Sequence, residues 1–304
     1  MPSPESLHWR QNYLPLDSAG LINYSFLTNF EINADSQLNR PVICLHGWLD
    51  NAASFFKIAP YLNHHSLILP ELAGHGYSSH RPLSGYYHLI DWVYDLWRFI
   101  DKLNIQSCIL VGHSIGGMIS SILAAILPAK VEKLVLLESS AAFTSNPQAL
   151  VENIKAAFVS RNQVTDVNLK KKQRSIRALP ALIETRAKVS EFDPTLAALL
   201  MERNIERSAD YFTWLSDPRL KTLSPIRLDD DQAQAYIEAI EADCLAVLAE
   251  QGYPSIARAL NRRKTSFKQI KIKTMAGGHH FHMQDPEKCA LLIEDFIQNK
   301  KTDF

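Results

Sequence analysis

The chain reads as an α/β protein built on a mostly parallel sheet, and three observations carry that reading. Short apolar runs alternate with helical patterns from about residue 20 to 140, and again from about residue 229. A Gly-x-Ser-x-Gly pentapeptide, Gly112-His113-Ser114-Ile115-Gly116, joins one of these runs to a small-residue helix. Between about Asn146 and Leu223 the strand-like runs vanish and charged helical segments replace them.

Each element follows from its pattern. The segment near Leu21–Asn29 is expected to start the sheet in antiparallel fashion. Pro41–Leu45, Ser66–Leu69, Cys108–Val111 and Lys133–Leu137 are continuous apolar runs, as strands buried on both faces are. Helices are expected over Ala52–Leu62, Leu89–Leu103 and Gly117–Leu127, so the alternation implies right-handed βαβ units. The middle stretch reads as a helical insertion, with helices such as Asn168–Ile176 and Leu196–Arg207, lying as a cap over the carboxyl edge of the sheet. After it, Asp229-Asp230-Asp231 caps a helix running to Glu241. Cys244–Leu248 is a buried strand, Ile270–Met275 alternates as an edge strand does, and Cys289–Ile297 is the last helix.

Composition excludes several classes. The 304 residues are 46% hydrophobic, ordinary for a globular protein with a core. Acidic and basic residues balance at 32 each, leaving no net field for nucleic acid or anionic lipid. In that setting the run Lys170-Lys171-Lys172-Gln173-Arg174 is read as a solvated helix face. The first residues lack the basic-then-apolar pattern of a signal peptide, and no apolar run reaches the roughly 20 residues that span a bilayer. Cys44, Cys108, Cys244 and Cys289 are scattered, which suits buried free thiols better than a disulfide or metal role. A cytoplasmic location is expected, with no membrane insertion. The sequence leaves monomer and homodimer equally open.

Chemistry is concentrated in four places. A serine at the apex of a strand-to-helix turn requires neighbours without Cβ atoms. It stands at a helix N-terminus, where backbone N–H groups favour negative charge. Ser114 is therefore the candidate nucleophile, and Gly-x-Ser-x-Gly the mark of a nucleophile elbow. A base is sought in Gly277-Gly278-His279-His280-Phe281-His282, after the last strand, where three histidines compete. An orienting acid is sought in two places. Glu138 ends the strand after the elbow helix and should lie about 4.8 Å from the elbow strand. Glu250 follows the penultimate strand, in Ala249-Glu250-Gln251-Gly252. His46-Gly47-Trp48 ends the strand expected on the other flank. The N–H groups of Trp48 and Ile115 are thus candidates for an oxyanion hole.

With these residues in view, the chain resembles the capped α/β-hydrolases, and within them the serine hydrolase-like branch. His46-Gly47-Trp48-Leu49-Asp50-Asn51-Ala52-Ala53-Ser54-Phe55 and Leu72-Ala73-Gly74-His75-Gly76-Tyr77-Ser78-Ser79-His80 carry the resemblance. Trp214-Leu215-Ser216-Asp217-Pro218-Arg219-Leu220 and Ala249-Glu250-Gln251-Gly252-Tyr253 fit it too. It implies an α/β-hydrolase fold: a mostly parallel eight-stranded sheet flanked by helices. Residues 1–144 and 224–304 would form the core, with 145–223 as a helical cap inserted after the sixth strand. The Gly-His…Pro spacing to Pro286 selects His279 over His280 and His282 as base. The family usually keeps its acid after the penultimate strand, where this chain has a glycine. Some capped members use the earlier strand, which favours Glu138 over Glu250.

The resemblance implies a serine hydrolase cleaving a small carboxylic ester or thioester through an acyl-enzyme, without metal or organic cofactor. Trp48, His113 and Trp214 are expected to contact substrate, with Phe212 and Tyr211 as further lining candidates. Asp217 and Arg219 are expected to pair and hold the cap. Haloalkane dehalogenases and epoxide hydrolases require a carboxylate nucleophile, and position 114 is a serine. Carbon–carbon bond hydrolysis, acyl transfer and non-catalytic binding of a small ligand remain as alternatives on the same scaffold.

Overall fold

The computed structural model describes residues 7–32, 37–164 and 173–299. Its first six strands are β1 (Arg10–Pro15), β2 (Asn23–Thr28), β3 (Leu38–Leu45), β4 (Leu67–Pro70), β5 (Ile105–His113) and β6 (Val131–Leu137). Three short strands follow in the middle segment: β7 (Gln173–Ser175), β8 (Ile205–Arg207) and β9 (Tyr211–Trp214). The last two are β10 (Asp243–Ala249) and β11 (Ile270–Met275). Eight of them form one sheet in the order β1-β2-β4-β3-β5-β6-β10-β11. Only β1 with β2 and β2 with β4 pair antiparallel; the rest are parallel. This is the α/β-hydrolase fold, and the sheet has the expected eight strands.

The central strands are apolar throughout because both faces are covered. Along β5, Cys108 and Leu110 join the core formed with the helices α1 (Leu89–Lys102) and α2 (Ile115–Ile126). Ile109 and Val111 point into the opposite core, with Cys289, Ile293 and Phe296 of the last helix, Pro286–Ile297. All four cysteines are buried free thiols. Among the described residues no helix is long and apolar enough to cross a membrane.

Several expectations need correction. Ala52–Leu62 is not one α-helix but two 3-10 turns, Ala52–Phe55 and Ala59–Leu62. Pro60 lacks the N–H that would bond residue 56, so the helix cannot continue through it. Residues Arg10–Pro15, unassigned from sequence, add an edge strand. The middle segment is also not purely helical. Besides the helices Leu150–Asn162, Leu179–Ser190 and Pro194–Glu202, it holds a three-stranded antiparallel sheet, β7-β9-β8. Tyr211-Phe212-Thr213-Trp214 is an aromatic and β-branched run of strand formers, enough to override the helical surroundings. The expected helix at Asn168–Ile176 gives way at its described end to β7, and the lysines 170–172 lie outside the described residues; the one expected at Leu196–Arg207 stops at Glu202, and Ile205–Arg207 form β8 instead.

The middle segment is fastened to the core by side chains reaching buried acceptors. Arg203 donates from Nε and Nη2 to the Glu71 carboxylate at 2.8 and 2.9 Å. Arg186 reaches Asp50 at 2.5 Å, and Asn51 donates to the Leu200 carbonyl at 2.8 Å. Both carboxylates are almost fully buried. Asp217 and Arg219 do pair, at 2.7 Å, and the same guanidinium donates to the carbonyls of Arg81, Pro82 and Gly85. A buried carboxylate stripped of its cation is costly. Arg203→Met is expected to lower stability by about 3 kcal/mol in urea unfolding. A loss below about 1 kcal/mol would mean that the Ser25 hydroxyl and Tyr77 N–H suffice to satisfy Glu71.

Candidate active site

Ser114 follows β5 directly and is the N-cap of α2. Its backbone stands at φ +53° and ψ −118°, a left-handed conformation that costs a non-glycine residue on the order of 1–3 kcal/mol. Bonds on both sides hold it there. The Ser114 N–H donates to the Leu137 carbonyl of β6 at 3.0 Å, and its own carbonyl accepts from Gly117 at 3.0 Å. The hydroxyl makes no capping bond. The flanking glycines are needed for close approach. A Cβ at Gly112 would lie 2.5 Å from the Gly116 backbone, and one at Gly116 would overlap the Leu45 carbonyl of β3. Ile115 is the first residue of α2, where a backbone N–H has no partner within the helix.

Trp48 lies in the loop after β3, the strand that flanks β5 on one side. Its ring is 48% exposed, and its indole N–H donates to Leu220 at 3.0 Å. Two buried histidines brace this loop. The Leu49 N–H donates to His75 Nε2, and the Leu72 N–H to His46 Nε2. Each ring therefore accepts on one nitrogen and donates from the other, which requires the neutral form. Burial lowers both pKa values, that of His75 to about 3.

Glu138 ends the strand on the opposite flank, at φ +44°. Its carboxylate accepts from the Ala249 N–H, at the end of β10, at 2.7 Å and from the Tyr253 N–H, at the start of the next helix, at 2.9 Å. Burial raises its pKa against these two donors. A Cβ on Gly252 would overlap Glu138 Oε1, so the carboxylate fits only because position 252 is glycine. Glu250 is exposed.

His279 sits in the turn after β11. Its ring lies 4.6 Å from that of Tyr253 and 4.7 Å from that of His113. Burial, with the neighbouring His280, pushes its pKa down to about 4. Nδ1 is buried and has no hydrogen-bond partner. The structure thus sets Ser114, Glu138 and His279 beyond the carboxyl ends of β5, β6 and β11, with β10 lying between the last two strands. It does not bond Glu138 to His279.

His113, expected against substrate, is fully buried. Its Nε2 donates to the His279 carbonyl at 2.9 Å, tying the elbow to the histidine loop. His282 is also fully buried, with Nε2 2.8 Å from the Ser54 hydroxyl. Burial lowers its pKa to about 3. Of the aromatic candidates, Trp214 is half-buried and packs edge-on against Phe212 at 5.8 Å. Phe212 is wholly enclosed in a satellite core with Leu179, Met201 and Ile205, so it lines nothing, and Tyr211 lies at the surface.

Sequence reasoning passed over Asp50. This buried carboxylate accepts from His280 Nε2 at 3.1 Å and pairs with Arg186, while His113 Nδ1 lies 3.7 Å away. Burial alone would raise its pKa; these three groups hold it well below the usual range. Asp50, His113 and His280 place donor atoms within 4.8 Å of one another, as a metal site would. The Arg186 guanidinium already neutralises the carboxylate, and a metal ion would have to share it. One carboxylate thus joins the Trp48 loop, the elbow, the histidine loop and the middle segment. Asp50 lies inside the run His46–Phe55, but its three partners are scattered over more than half of the chain, which hid it.

Comparison with known proteins agrees with this architecture. A family model described as alpha/beta hydrolase fold matches residues 40–190. A serine hydrolase-like protein of Danio rerio is 26% identical over 276 residues, covering 87% of this chain and 83% of that protein. Serine hydrolase-like protein 2 of Homo sapiens is 27% identical over 275 residues, covering 85% and 87%. The crystal structure of the hypothetical protein PA1622 from Pseudomonas aeruginosa PAO1 superposes with a TM-score of 0.81 at 27% identity, covering 96% of this chain and 99% of that one. The chain belongs to the α/β-hydrolase superfamily, and within it falls in the serine hydrolase-like branch.

Proposed function

We propose that this protein is a serine hydrolase that cleaves a small carboxylic ester or thioester. In this reading Ser114 is the nucleophile, His279 the base and Glu138 the acid that orients it. The N–H groups of Trp48 and Ile115 form the oxyanion hole, and residues 145–223 form a cap over the site. The observation that carries the reading is Ser114 itself. An uncapped serine hydroxyl is held in strained backbone at a helix N-terminus, at the end of a central parallel strand. Its hydroxyl oxygen attacks the carbonyl carbon as the proton passes to His279, and the oxyanion forms against the two amides. His279 then returns the proton to the leaving alcohol or thiol. Water, deprotonated by the same imidazole, attacks the acyl-enzyme; the bond from the acyl carbon to Ser114 Oγ then breaks, His279 returns the proton to Oγ, and the free acid departs. The half-exposed rings of Trp48 and Tyr253 offer an apolar rim for the acyl or alkyl part of the substrate.

A second assignment of the base has its own support. His280 and Asp50 already form a histidine–carboxylate couple, whereas His279 Nδ1 has no partner. Against it, His280 spends Nε2 on Asp50, and its Nδ1 is buried without a partner. His279 also keeps the Gly-His…Pro spacing.

Three outcomes follow. Nitrophenyl acetate or butyrate is expected to turn over, and a fluorophosphonate probe to label the protein at Ser114 and not the Ser114→Ala variant. No turnover of any short acyl ester, together with no labelling, would end the hydrolase reading in favour of ligand binding. His279→Gln should lower kcat by about 10³-fold or more and His280→Gln by far less; the reverse order would move the base to the Asp50 couple. Finally, burial holds the folded pKa of His279 below its ordinary 6.5, so the imidazole stays unprotonated as the pH falls through that value. Histidine NMR should show it taking up a proton near pH 4. A midpoint near 6.5 would mean an open, hydrated ring.

A further inference from the structure

We infer that His64, His65 and Glu294 form a binding site for a divalent transition-metal ion of the Zn²⁺ class, separate from the candidate active site. His64 Nε2 lies 3.0 Å, and His65 Nε2 2.7 Å, from the same oxygen, Glu294 Oε2. The two rings stand 4.2 Å apart, and all three donor atoms fall within 4.8 Å of one another. Two imidazole nitrogens and one carboxylate oxygen are a donor set that suits Zn²⁺, Ni²⁺ or Cu²⁺. Ligands of a tetrahedral zinc stand about 3.4 Å apart, given bonds near 2.1 Å. Admitting the ion needs shifts of under about 1 Å, with both Nε2 protons moving to Nδ1.

The support around the site is built in. One side chain, Asn29, fixes the backbone on both sides of His64. Its Nδ2 donates to the carbonyls of Asn63 and His65 at 3.4 and 2.9 Å, and its Oδ1 accepts from Leu67 at 2.8 Å. Glu294 comes from the last turn of the last helix, which packs on the 3-10 turn Ala59–Leu62 just before the histidines. Ligands held by rigid elements bind metal better than ligands on free loops. His65 and Glu294 are mostly buried, but the His64 side chain is 49% exposed, which leaves an open path for the ion and a water ligand. The histidines precede β4, at the amino ends of the parallel strands, while Ser114 lies at their carboxyl ends. The Asp50 cluster, the other such group among the described residues, differs in two respects: it is buried, and it already holds Arg186. A metal at His64, His65 and Glu294 would staple the loop before β4 to the last helix.

The test is calorimetric titration of Zn²⁺ into the full chain at neutral pH, beside thermal unfolding with and without Zn²⁺. One ion per chain should bind, and the Tm should rise with Zn²⁺. Glu294→Gln and His64→Ala should each weaken binding by about tenfold or more and remove the rise. Cu²⁺ bound in place of Zn²⁺ should give an EPR spectrum coupled to two imidazole nitrogens. Since His64 is half-exposed, His64→Ala serves should Glu294→Gln fold poorly. Absence of binding at millimolar Zn²⁺, or an isotherm unchanged in both variants, would overturn the site.

Discussion

The constraint on which the rest of the site depends is the clamp on β5 between β3 and β6. A serine at φ +53° stays there only if the chain on either side cannot relax. Parallel pairing on both flanks supplies that, since Leu45 pairs with Gly112 and His113 with Leu137. The bond from the Ser114 N–H to Leu137 locks the turn to the neighbouring strand. The same two flanking strands deliver two of the other groups, while His279 comes from the loop after β11. β3 ends at the Trp48 loop and β6 ends at Glu138, so the pairing that strains Ser114 also sets its surroundings.

Two facts noticed apart in the sequence prove to be one. The family's usual acid position, after the penultimate strand, is glycine in this chain, and an unexpected glutamate closes the strand before it. The Glu138 carboxylate occupies the space that a side chain at 252 would need, and it takes the N–H groups of Ala249 and Tyr253. Acid at 138 and glycine at 252 are sterically coupled.

How legible the molecule was depends on the range of the forces involved. Strands buried on both faces announce themselves as continuous apolar runs, so β3 to β6 and β10 could be read directly, and the elbow carries its own glycines. The two turns within Ala52–Leu62 needed attention to Pro60. The small sheet at Tyr211–Trp214 was written in its residue types but masked by helical neighbours. Least legible was Asp50, whose meaning rests on Arg186, His113 and His280, residues that only the folded chain brings together. The same holds for His113, which the pentapeptide suggested as a substrate contact. The fold makes it a buried strut to the His279 carbonyl.

In the proposed mechanism Glu138 orients His279 from the space that Gly252 leaves open. The most direct test of that role is ester turnover by Glu138→Ala, alone and combined with Gly252→Asp. The single variant should lose about 10³-fold or more in kcat. The added aspartate, projecting from the end of the neighbouring strand into the vacated space, should restore at least about a tenth of the lost activity. A Glu138→Ala protein that turns over ester at the parent rate would contradict that role.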